Sequence, residues 1–264
     1  MRFLIKHPQV LTNIMLMRTK SCLVPAVWVV GLCVSVRAAT YSGNGNTGFG
    51  GTIGNGSLSL TDDGTTVSGT VTKGAAGAFD NALVLYVDSV PSGFTNTSGF
   101  NDGGDGLRRA ISGFDGGANR SVLTMTAGFG ADYAIALGPA PSESFGGLWQ
   151  LSNGGGNNSL GFISSVNLNP TGDASSPSYT FSFDVSQIGL SPNSGQSIRL
   201  LGTYISNTGF RSDEALAGDV SGTQGYNPFT GTADPSYTIV PEPSTGLLFG
   251  LVAFCAVLGR RRRN

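Results

Sequence analysis

The chain has 264 residues, long enough for one large domain with a real core, and its formal net charge is −1. That figure hides a division: residues 39–240 carry six Lys and Arg against 15 Asp and Glu, a net charge of −9 that excludes nucleic acid as a partner. The three cysteines and the single histidine, His7, all lie outside this body, which excludes from it disulfides, thiolate or imidazole metal sites, and Ser-His or Cys-His catalysis.

From Met17 the chain reads MRTKSCLVPAVWVVGLCVSVRAA. Arg18 and Lys20 make a positive start, residues 22–36 are an apolar stretch of 15, and Val36 and Ala38 are small enough for a signal-peptidase pocket. This pattern predicts a secretory signal over residues 1–38, with Met15 or Met17 as the working start. The alternative is a retained membrane anchor.

Between 39 and 239 the chain alternates short apolar runs with Gly, Asn, Asp, Ser and Pro, and no segment of ten residues has helical periodicity. Strands are expected at 57–61, 66–72, 82–88, 121–126, 132–137, 147–151, 162–167, 179–184 and 198–205, with a short last one at 237–240. Such a series predicts an all-β fold, a single glycine-rich β-sandwich of jelly-roll or similar type. ALVLYVD (82–88) is apolar almost throughout and reads as a central strand buried on both sides. YTFSFDV alternates, with Tyr179, Phe181 and Phe183 on one face, and should cover a core from one side only. Asp63-Gly64 between two strand patterns predicts a hairpin turn. The 20 or so residues after 38 read as a flexible lead-in, and SDEALAGDV (212–220) as a short helix capped by Ser212.

Three groups of residues are candidates for a site. Asp102, Asp105 and Asp115, in GFNDGGDGLRRAISGFDGG, offer oxygens for calcium, although their spacing is neither the EF-hand loop nor the calcium-binding nonapeptide. Arg108 and Arg109 offer the rival reading, a salt-bridged turn. Trp149, the only tryptophan beyond the expected signal, is a candidate platform for a glycan or else a core residue. Tyr86, Tyr133 and Tyr204 read as core residues whose hydroxyls reach an edge. Paired carboxylates for glycoside hydrolysis would have to come from few glutamates, Glu143 and Glu214, and neither sits in a catalytic motif. The expectation is therefore a protein without enzymatic activity and without a cofactor other than calcium.

At the C-terminal end, Pro241, Glu242 and Pro243 precede 14 apolar residues, 246–259, and the cluster Arg260, Arg261, Arg262 and Arg263. A helix of 14 residues spans about 21 Å, short of a hydrocarbon core of about 30 Å, so it crosses only with help from its flanks. The arginines would stay on the cytoplasmic side. The two prolines keep Glu242 extended and stop helix from spreading into the body.

This order of tripeptide, apolar run and basic tail over 240–264 resembles the PEP-CTERM sorting signal of Gram-negative bacteria. The resemblance implies processing near the tripeptide by an exosortase, a membrane-embedded cysteine transpeptidase or protease. It also implies export across the inner membrane, display at the cell surface or outside the cell, and association with exopolysaccharide or biofilm. Membrane contact would be transient, through the C-terminal helix. ALVLYVDS, DYAIALG and FSFDVSQIGL are further similar to strands of DOMON-like and family 9 carbohydrate-binding sandwich domains. That second resemblance implies a carbohydrate-binding module as the alternative function, with a glycan-processing enzyme behind it.

Overall fold

The computed structural model describes residues 37–126 and 128–241. Most of the expected signal segment, the apolar run over 246–259, Glu242, Pro243 and the four arginines lie outside the described residues. Among the described residues no helix is long and apolar enough to cross a membrane.

In chain order the first elements are β1 (Arg37–Ser42), β2 (Ser57–Asp62), β3 (Thr66–Thr72), β4 (Ala82–Asp88), the helix α1 (Gly106–Ser112) and β5 (Val122–Met125). Then come β6 (Tyr133–Gly138), β7 (Phe145–Gln150), β8 (Gly161–Ser165) and β9 (Ser178–Asp184), with a 3-10 turn at Val185–Ile188. The last are β10 (Ser197–Ile205), β11 (Arg211–Leu216), β12 (Gly218–Gly222), β13 (Pro228–Ala233) and β14 (Tyr237–Thr238).

Two sheets make the sandwich. The smaller is antiparallel in the order β1-β2-β3-β9. The larger runs β11-β10-β4-β6-β7-β8, with β14 also paired to β10. Alternation sets the smaller sheet: Leu58, Leu60, Val67, Val71, Tyr179, Phe181 and Phe183 point inward, and the residues between them face out. Gly69 lies opposite Phe181, and a Cβ there would stand 2.2 Å from that ring, so glycine makes room for the aromatic in the core. Burying such a side chain contributes on the order of 2 kcal/mol.

The central position of β4 follows from its composition. Leu83, Leu85 and Val87 pack against the smaller sheet, while Ala82, Val84 and Tyr86 pack on the other side. That other side is covered by a third layer, made of α1 and the sheet β12-β13-β5, whose β13-β5 pair is parallel. The fold is thus a sandwich with an added layer. The chain passes from the central sheet into this layer at Ala217 and Gly218, which have φ of +55° and +150°. An alanine in the left-handed region is strained, and the bend between β11 and β12 is what holds it there.

Two expectations are corrected. Residues 212–220 are not a helix but β11, the bend and β12. Glu214 decides this: fully buried, its Oε1 accepts the amides of Phe49 (2.6 Å) and Gly51 (3.0 Å), and its Oε2 those of Ile53 (2.8 Å) and Gly54 (3.1 Å). A carboxylate with four such donors is stable in the interior only if this strand and that loop stay together. The residues after 38 are therefore not a loose lead-in. β1 pairs with β2, and the loop after it is wrapped around Glu214. The helix of the body is α1 instead. Asp105 caps it, accepting the Arg108 amide at 2.8 Å, and Gly113 ends it at φ +63°.

Candidate functional site

α1 presents its first turn to β7 and β8, and between them lies a groove of about 380 Å3. Phe145, Trp149 and Phe162 form one wall, and Asp105, Arg108 and Glu143 the other. Strand alternation places Phe145 and Trp149 on β7, and Trp149 pairs with Phe162 on the edge strand β8. The ring centroids of Trp149 and Phe162 are 5.6 Å apart, those of Phe145 and Phe162 6.1 Å, and those of Phe145 and Trp149 6.4 Å. This is aromatic packing of the ordinary edge-to-face and tilted kind.

Exposure separates the three rings. Phe162 is 50% exposed and Phe145 37%, whereas Trp149 is 2% exposed. Trp149 belongs to the core between the central sheet and the third layer, so the face open to a ligand is that of the two phenylalanines it supports. Its indole N–H is buried without a hydrogen-bond partner. Of the two readings of Trp149, platform or core residue, its burial fits the core one, and the exposed rings beside it are phenylalanines that the sequence did not single out.

The aspartates do not gather into a calcium site. Asp102 is buried and saturated: it accepts the amides of Asn158 (2.8 Å), Gly104 (3.0 Å) and Leu160 (3.0 Å) and pairs with Arg108 at 2.7 Å. Burial raises its pKa, but the three amides and the guanidinium outweigh this and hold it below the usual carboxylate range. Asp105 pairs with Arg108 Nε at 3.0 Å. Asp115 turns the other way and accepts the amides of Gly117 (2.6 Å) and Asn119 (3.1 Å) in its own loop. Among the described residues no three His, Cys, Asp or Glu side chains could hold a metal ion together. The salt-bridged turn is what forms, with Arg108 as its bridge. Arg109 instead donates to the Asn207 carbonyl at 2.8 Å.

Glu143 completes the polar wall, accepting Asn207 Nδ2 at 3.0 Å. Its partner leaves lone pairs free, and Asp105 also keeps exposed oxygen. A larger depression of about 700 Å3 lies between β1 and the β12-β13 end, lined by Tyr41, Asn44, Asp219 and Asp234. Burial, and then the neighbouring Asp219, raise the Asp234 pKa. It offers one aromatic ring against the two exposed rings of the smaller groove, so the smaller one is the better match to a ligand with both apolar and hydroxyl surfaces.

A feature of a different kind lies where the body ends. Pro241 is exposed, while Ile239 and Val240 are buried. Residues 240–263 match the family model of the PEP-CTERM protein-sorting motif, 24 of the 264 residues. The chain carries this sorting motif. The motif implies export, processing by an exosortase, and placement at the cell surface or outside the cell. Neither the curated proteins nor the solved structures contain a match to the chain, and the DOMON-like resemblance gains no support.

Proposed function

We propose that the exported body is a non-enzymatic protein of the cell surface or extracellular matrix that holds exopolysaccharide in the groove beside α1. The observation that carries this reading is the pair Phe145 and Phe162, two of the three exposed large apolar side chains among the described residues, facing Asp105, Arg108 and Glu143. A sugar ring has an apolar face that lies on an aromatic surface and an equatorial rim of hydroxyls that pair with carboxylates and guanidinium groups. The acidic body favours a neutral or basic glycan over an acidic one.

Asp105 and Glu143 line one groove, which keeps glycoside hydrolysis as a second reading. Against it, Asp105 is engaged twice over by Arg108, by its guanidinium and by the backbone amide that it caps. Titration of the secreted protein with neutral exopolysaccharide tests both. Saturable binding that falls at least about tenfold in the Phe145→Ala, Phe162→Ala double variant is expected. Unchanged binding in that variant rules the groove out, and release of reducing ends would favour the enzyme.

A further inference from the structure

The sorting motif begins on a residue that the body has locked in place. Asp62, at the end of β2, is 3% exposed, and its Oδ1 accepts the amides of Val240 and Gly64, both at 2.8 Å. Its Oδ2 accepts the Tyr237 hydroxyl at 2.5 Å, and the Arg37 carbonyl, 3.1 Å from the same hydroxyl, is the more distant competitor for its one hydrogen. Between these points β14 pairs with β10, and the Ile239 amide donates to the Gln196 carbonyl at 2.9 Å. Tyr237, Ile239 and Val240 are all buried. No linker separates this docked segment from the tripeptide, because Pro241 follows Val240 directly.

Enzymes that cut or transfer peptide bonds take their substrates as extended strands, several residues to each side of the reacting bond. A bond beside Pro241, Glu242 and Pro243 puts residues 237–240 inside that footprint. A docked segment is then reachable only in the fraction of molecules in which it has come away locally, and the processing rate follows that fraction. We propose that the segment Tyr237 to Val240 is a latch, fastened by Asp62, that limits exosortase processing until it undocks from the folded body. The proposal rests on the sorting reading. Asp62 acts on the reaction by positioning the substrate and does not touch the reacting atoms.

Pulse-chase blots of the full chain in the bacterium that makes it test the latch, using four forms. These are the wild type, Asp62→Asn, an insert of six Gly and Ser residues between Val240 and Pro241, and the two changes combined. The insert leaves every contact of the sandwich in place and moves the tripeptide clear of it. It should speed conversion to the mature form about tenfold, and Asp62→Asn alone should also speed it. With the insert present, Asp62→Asn should add nothing. Conversion no faster with the insert than without overturns the latch while leaving sorting intact. An equal gain from Asp62→Asn in both backgrounds overturns the role of Asp62, since it would report general loosening. No conversion in any form removes the sorting reading, and the latch with it.

Discussion

The two regions given proposed roles use the same chemistry to opposite ends. At the chain's exit Asp62 and Tyr237 are buried against each other and their hydrogen bonds are filled from within. In the groove Asp105 and Glu143 stand beside exposed Phe145 and Phe162 and keep capacity for an outside partner. Along the strands the groove runs from one end of the central sheet to its middle, where Phe162 and Trp149 are level through Ala134 and Tyr86 with Leu201, and the docked segment lies at the other end. Ser197 pairs with Thr238 at one end of β10, and Ile205, at the other, is level through Ala82 with the Gly138 and Phe145 pair. Eight residues of strand, about 26 Å, separate Ser197 from the level of Phe145, and four, about 13 Å, separate it from the level of Phe162. A carboxylate closes a structure or opens a site according to how many of its lone pairs the fold itself consumes.

Breaking a closed carboxylate should cost the most. Glu214→Ala would orphan four amides, three of them buried, and thermal or urea unfolding should show a loss on the order of 4 kcal/mol. The buried tyrosines give a smaller effect that depends on pH. Burial, with Asp173 adding to it, pushes Tyr179 up to about 12, and burial also raises Tyr204 and Tyr237. Because the folded values lie above the ordinary tyrosine value of 10.0, the folded chain holds its phenolic protons after the unfolded chain has lost them. Their contribution is complete below pH 10 and is lost as pH rises through the folded values, so the melting temperature should hold on the neutral side and fall above it. The open groove should matter least to stability. The Phe145→Ala, Phe162→Ala double variant loses half-buried ring packing and is expected to cost about 1 to 2 kcal/mol while staying folded, so glycan binding is compared at a temperature where both forms are native.

Most of the sandwich can be read from local pattern. β2, β3 and β9 show strict alternation, and the run in β4 is apolar because both its faces are covered. What cannot be read locally depends on distant partners. The acids of residues 212–220 imitate the start of a helix, and only the loop some 160 residues earlier, with its amides on Glu214, makes the segment a strand. α1 is too short for helical periodicity to appear, although its two caps, Asp105 and Gly113, are visible as a pair once a helix is sought. The hairpin at Asp63-Gly64 is local and legible, whereas the hold of Asp62 on Val240, 178 residues away, is not. In the groove, Trp149 marks the strand, but alternation alone does not tell which of its neighbours emerge from the layers that cover it.

Export and processing at the sorting motif underlie every role given to the body, and intact-mass analysis of the protein recovered from the cell surface or the medium tests them most directly. The account predicts a mature species that ends near Pro241, Glu242 and Pro243 and lacks the apolar run and the arginines. A surface or secreted species that still ends at Asn264 would contradict it.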